Sequence, residues 1–304
     1  MKKLNHIWIF SDSILGHEIQ SVALASKIAN KTSLFHCGLR QPWLSFAPRI
    51  LPGFGKNIIW ENHAPDTLNT PDAIITCGRR MAAIGKYYKR LTNCKHIQIL
   101  NPTDNTSNYN VIVIPEHDRL NAPNVILSKG SLHTISSDTL SQYKKLNEKK
   151  SISLLIGNPG RHFYKKLDDL ANQIARFYSG YDLNVCGSRR THKKYRANIK
   201  KAFSQANYCW LDKTDGENPY MNLLANSDII LVTADSINMV SEACATNKTV
   251  IVLAQNEVSP KHNRFIQSLD GRLSEFGVSH SNPNTLETLT HVAQKVMLLL
   301  KTTS

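Results

Sequence analysis

Short apolar runs alternate with amphipathic stretches along the chain. Ile7-Trp8-Ile9-Phe10 has no polar position, and after a polar turn residues 16–29 place Ile19, Val22, Ala23, Ala25, Ser26 and Ile28 at helical spacing. The same alternation recurs at 73–75 into a helix at 80–90, then at the runs 97–100 and 111–114, the last closed by Pro115. Runs apolar on both faces are those of parallel strands covered by helices, so the pattern predicts an α/β domain.

The polar stretch 136–150 ends in a lysine-rich segment and reads as a linker. A second series starts at once, with strands at 151–156, 183–186, 208–211, 229–232 and 250–253 and helices at 163–178, 193–204 and 236–246. An amphipathic helix at 284–300 ends the chain. The expectation is two consecutive Rossmann-like, doubly wound domains, at 1–147 and 151–284, with 285–304 as a C-terminal helix.

Composition narrows the class. At 304 residues and 41% hydrophobic content the chain can bury a sizeable core, which excludes a disordered tail protein or a small disulfide scaffold. Six widely spaced cysteines contain no C-x-x-C pair, which favours a reducing cytosol over a disulfide framework or zinc site. No apolar run approaches the ~20 residues of a membrane span, and the run at 7–10 is too short for a signal sequence. With 37 Lys and Arg against 23 Asp and Glu the formal charge is +14, which calls for a negatively charged partner. Nucleic acid is disfavoured, because no interleaved basic and aromatic motif, zinc motif or helix-turn-helix signature accompanies the charge.

Ligands of open α/β sheets bind beyond the carboxyl ends of the strands, so the strand-to-helix turns carry the candidate chemistry. In the first, Ser11-Asp12-Ser13-Ile14-Leu15-Gly16-His17, a histidine at a helix start can act as general base at neutral pH. Helix capping by Ser or Asp, with His17 a surface residue, is the plainer alternative. Gly157-Asn158-Pro159-Gly160-Arg161 suits a diphosphate at a helix N-terminus, or is a tight turn only, and it matches neither a Walker loop nor G-x-G-x-x-G. Ser188, Arg189 and Thr191 at a strand end suit phosphate oxygens, whereas the basic residues at 193–201 read as a solvated helix face. In the fourth, Thr233 to Ala243, Asp235-Ser236 caps a helix and Glu242 stands about two turns in, where a carboxylate can take two ribose hydroxyls. The missing dinucleotide fingerprint argues against a nucleotide-sugar epimerase or an NAD oxidoreductase.

Gly16-His17 with Gln20, Cys77-Gly78-Arg79-Arg80, Pro115-Glu116-His117-Asp118, Ser188-Arg189-Arg190-Thr191, Asp215-Gly216-Glu217-Asn218-Pro219-Tyr220 and the Thr233–Ala243 segment occur in the order and spacing of one family. Over roughly residues 7 to 270 the chain resembles the family of the plant "elongated mitochondria" fission factor and its bacterial relatives. That resemblance implies a GT-B-like fold, two Rossmann-like domains facing across a cleft. The second domain also looks like that of the inverting transferase that adds N-acetylglucosamine to lipid-linked peptidoglycan precursors. By this likeness Gly157 and Asn158 correspond to the diphosphate turn, Glu242 to the ribose contact, and Gly16-His17 to the end of a first loop near the acceptor. The earlier loop glycines are replaced here by Ser11, Asp12 and Ser13, and Pro159 removes one backbone donor.

The resulting expectation is a metal-independent, inverting glycosyltransferase with no cofactor, using a nucleotide-diphosphate sugar, UDP-type first, and a cell-envelope glycan or lipid-linked acceptor. His17 is the expected base, with Asp12 and His117 as rivals. Gly157, Asn158, Ser188, Arg189, Thr191, Asn218, Tyr220, Asp235, Ser236, Met239 and Glu242 are the expected donor contacts. Gly16, Arg79 and His117 are expected on the acceptor side, and no carboxylate pair has metal-binding spacing. The different-class alternative is a non-catalytic scaffold of the same fold that recruits a membrane-remodelling partner. Six basic residues from Arg79 to Lys95, interspersed with Met81, Ile84, Tyr87, Tyr88 and Leu91, suggest a cytoplasmic protein peripheral on an anionic inner membrane face; the alternative is that the apolar residues face the core and the lysines are solvated.

Overall fold

The structure is a computed structural model and describes residues 2–143, 149–269, 271–278 and 285–302. It divides into two compact units, Met1–Thr134 together with Thr288–Ser304, and Ile135–Glu287.

The first unit is built on a seven-stranded sheet of β1 (Leu4–Ser11), β2 (Ala29–Leu39), β3 (Ile58–Trp60), β4 (Ala73–Cys77), β5 (Lys95–Ile99), β6 (Val111–Pro115) and β7 (Val125–Ser128), in the order β3-β2-β1-β4-β5-β6-β7. All pairings are parallel except that of β3 with β2. The helices here are α1 (Leu15–Ile28), the one-turn α2 (Trp43–Phe46) and α3 (Gly78–Thr92). Alternate residues of β1 explain the layering. Ile7 and Ile9 pack with Leu24 and Ile28 of α1, whereas Trp8 and Phe10 face the opposite way, against Met81, Ile84 and Tyr88 of α3.

The second unit carries a wholly parallel five-stranded sheet, β8 (Ser151–Ile156), β9 (Asp182–Gly187), β10 (Tyr208–Trp210), β11 (Ile229–Thr233) and β12 (Thr249–Leu253), in the order β10-β9-β8-β11-β12. Its helices are α4 (Ser137–Ser141), α5 (Arg161–Lys165), α6 (Leu167–Phe177), α7 (Arg196–Ala202), α8 (Tyr220–Asn226), α9 (Ile237–Cys244) and α10 (Pro260–Ser268). Leu155, Ile230 and Val232 pack with α9 and α10, and Leu154, Val185 and Leu231 with α5, α6 and α7. The last helix, α11 (Thr288–Thr302), belongs to the first unit, where Val292, Val296, Met297 and Leu300 join the core of β1 and α1.

Several sequence expectations need adjusting. The chain changes unit at 134/135, because Ile135 and Leu140 pack against the second core and Ser136 caps α4; the expected linker at 136–150 therefore falls too late, inside the second unit, and its residues 144–148 lie outside the described residues. The start of the expected last helix at 284 also lies outside them. The single helix expected at 163–178 is interrupted at Lys166, which leaves helical backbone (ψ 17°) between α5 and α6. Most apolar residues of α3 face the core, with Met81 and Ile84 buried and Leu91 exposed; Lys86 is also buried, paired with Asp104 at 2.5 Å. Neither reading of this helix holds whole: Met81, Ile84 and Tyr88 face the core, but Leu91 is exposed and Lys86 is buried rather than solvated. Lys89 is likewise committed, donating to the Asn108 carbonyl.

Candidate functional site

In an open α/β sheet the crevice for a ligand opens where the strand order reverses, beyond the carboxyl ends. This point lies between β1 and β4 in the first unit and between β8 and β11 in the second.

At the first of these, the β1–α1 turn sets Asp12 beside His17, Oδ1 to Nδ1 3.1 Å. The Asp12 side chain is 9% exposed and that of His17 26%, so the carboxylate is the inner partner and the imidazole the accessible one. A carboxylate at Nδ1 favours the tautomer with the proton there, which leaves Nε2 as an acceptor. Asp12 is placed as the group that orients His17. Gly78, with φ +79°, begins α3 after β4, and a Cβ there would stand 3.0 Å from Cε1 of His17. Glycine is required twice over, by the left-handed backbone and by the close approach of the ring. Gly16 receives the Gln20 side chain at its carbonyl, an intrahelical contact. Arg79 is exposed on the first turn of α3, and His117 is buried at the end of β6, with Nε2 3.9 Å from Asp118.

A second polar cluster, for which the sequence carries no signal, adjoins this turn. Glu18 Oε2 accepts from Ser11 Oγ at 2.7 Å and lies 2.7 Å from His36 Nε2, while Ser13 Oγ donates to Glu61. His36 sits on β2, a strand whose alternating polar sequence gave no signal, so its approach to Glu18 had none either.

The second switch point is more tightly bonded. Gly157 N donates to Thr233 Oγ1 (2.9 Å), Thr233 Oγ1 to Asp235 Oδ1 (2.7 Å), and Asn158 N to Asp235 Oδ2 (2.7 Å). Thr191 Oγ1 accepts from Ser188 N and lies 2.7 Å from the Gly157 carbonyl, which ties the end of β9 to the same turn. Arg190 Nη2 reaches Asp235 Oδ2 at 3.3 Å. Both adjacent arginines are exposed, and of the two it is Arg190 that bonds to Asp235 at the turn. Ser236 Oγ, rather than Asp235, caps α9 by accepting from Met239 N.

Glu242, 7% exposed, lies on α9 and accepts from Tyr220 Oη at 2.5 Å. Burial raises its carboxyl to about 7, against a smaller lowering by the tyrosine hydrogen bond, and burial likewise raises the Tyr220 phenol. Met239 is a core residue packed among Val240, Ala243 and Phe265. Asn218, whose Oδ1 accepts from Tyr220 N, lines a groove of about 610 Å³ with Ser151, Asp182 and Asn184. Those residues begin β8 and β9, so Asn218 stands at the amino ends of the strands, away from the Gly157 turn. Asn218 and Met239, both expected among the donor contacts, are not among the groups bonded at the Gly157 turn. Gly157, Asn158, Ser188, Thr191 and Asp235 do converge there.

Two Rossmann-like units of this kind in one chain define the GT-B fold, shared by glycosyltransferases and certain epimerases. Among solved structures, UDP-GlcNAc 2-epimerase from Neisseria meningitidis bound to UDP-GlcNAc is similar at TM-score 0.56 and 13% identity, covering 97% of this chain and 100% of that one. The S. aureus MnaA–UDP complex is similar at TM-score 0.51 and 13% identity, covering 99% and 96%. A missing dinucleotide fingerprint therefore does not set this chain apart from every nucleotide-sugar epimerase, as expected from sequence, since one shares its fold. The chain belongs to the mitochondrial fission ELM1 family, whose model matches residues 15–299. It is 28% identical to the mitochondrial fission protein ELM1 of Arabidopsis thaliana, over 88% of this chain and 69% of the relative, and 27% identical to protein RP120 of Rickettsia prowazekii, over 87% and 88%. Among the described residues no helix is long and apolar enough to cross a membrane.

Proposed function

We propose that the protein is a metal-independent, inverting glycosyltransferase that takes its sugar from a UDP-type donor and passes it to a glycan or lipid-linked acceptor at the cytoplasmic face of a membrane. One observation carries this reading: the Gly157 turn holds an anion. A carboxylate oxygen of Asp235 sits between the Asn158 N–H and the Arg190 guanidinium, donors of a kind that also suit phosphate oxygens. Glu242 is assigned to the ribose hydroxyls, and Arg190 with the turn amide to the leaving diphosphate. On the acceptor side His17, oriented by Asp12, takes the hydroxyl proton as the acceptor oxygen bonds to the anomeric carbon and the phosphate oxygen departs with the bonding pair.

A second reading, a non-catalytic scaffold that recruits a membrane-remodelling partner, is favoured by the name of the Arabidopsis relative. The test is incubation of the full chain with UDP-GlcNAc and a membrane lipid extract, with UDP release as readout. The transferase reading expects release that falls about 100-fold or more in His17→Ala, the low end of what a general base contributes. Binding without release supports the scaffold, and isomerised sugar nucleotide without free UDP would mean epimerase chemistry instead.

A further inference from the structure

The carboxylate that marks the Gly157 turn as an anion site also fills it. We propose that Asp235 is an internal stand-in for the donor phosphate, an autoinhibitory contact that must be displaced before a nucleotide diphosphate is held; this rests on the nucleotide-binding reading above. A Cβ on Gly157 would stand 2.4 Å from Asp235 Oδ2 and 2.7 Å from Oδ1, so the carboxylate lies against the bare α-carbon where a phosphate would have to approach. It takes the Asn158 amide and the Arg190 guanidinium, with Thr233 Oγ1 on its other oxygen. Two anions cannot share those donors without strong repulsion in a partly buried site; the Asp235 side chain is 14% exposed.

The surroundings allow the exchange. Asp235 precedes the α9 cap, which is Ser236, so its side chain can rotate away without loss of that cap. The Arg190 side chain is 57% exposed and is free to follow the incoming phosphate. Asp235 thus lowers the apparent affinity by the fraction of molecules in which it has left the turn, and admits only a ligand whose phosphates outbid one carboxylate.

Calorimetric titration of the folded full chain with UDP, and with uridine as the phosphate-free control, separates the possibilities. Asp235→Asn keeps the side-chain shape and an acceptor oxygen while removing the charge, and Asp235→Ser serves as a second variant that does not depend on the first one folding. Both are expected to bind UDP about tenfold more tightly than wild type, with uridine affinity unchanged, and Arg190→Gln added to either is expected to cancel the gain. If wild type binds UDP and both variants bind it equally or more weakly, or if uridine gains as much, Asp235 is an ordinary donor contact and the proposal is overturned. Absence of UDP binding by every form would overturn the nucleotide reading itself, and this proposal with it.

Discussion

A carboxyl buried among apolar groups holds its proton more tightly than one in water, and Glu242 shows the consequence. With its carboxyl raised from about 4.5 to about 7, the native state binds a proton that the unfolded chain releases between those values. This group's contribution to stability is therefore full below about pH 4.5 and is lost as pH rises through 7. Glu242→Gln removes the titration while keeping an acceptor for Tyr220. Urea denaturation should find the variant gaining on wild type by about 2 kcal/mol between pH 5.5 and pH 8; an equal difference at both pH values would mean that Glu242 is not buried as a titrating group. The position of Glu242 two turns into a helix was legible from sequence. Its burial was not, because Tyr220 comes from another helix 22 residues away in sequence. The Asp12–His17 pair, five residues apart on one turn, lies within the range at which sequence reading works.

At the scale of elements, strands apolar on both faces and their following helices were read with small errors, because a buried parallel strand leaves an unbroken apolar run. β2 carries no unbroken apolar run, since Asn30 to Ser33 are polar and the rest of the strand alternates. The antiparallel β3, three residues long, has too little sequence to carry a period. α11 was read as a helix, but nothing local indicates that it returns to the first core across a whole intervening unit. That return has a measurable consequence. Met297→Ala, at a 3% exposed position in that core, is expected to cost about 2–5 kcal/mol. Hydrogen exchange should report lost protection in β1, β4 and β5, with β8 and β11 unchanged; loss confined to the second unit would refute the assignment.

For the whole molecule, the +14 charge points to a polyanion, and ion pairing leaves that excess as it is, because each pair takes one base and one acid. Lys86 pairs with Asp104, Lys149 with Asp182, Arg196 with Asp212 and Lys200 with Asp215, while Arg272 donates to the carbonyls of Cys244 and Thr246. Basic residues counted along α3 as a membrane-facing set are partly internal, a distinction that composition cannot make because it does not know which side of a helix meets the core. The central claim concerns one turn and Glu242, not the charge as a whole. Its most direct test is calorimetric titration with UDP at pH 8, comparing wild type with Glu242→Ala. The account predicts saturable binding by wild type and a loss of about tenfold or more in affinity in the variant, the scale of a charge-assisted hydrogen bond. Wild-type binding that ignores the substitution, or no binding at all, would contradict it.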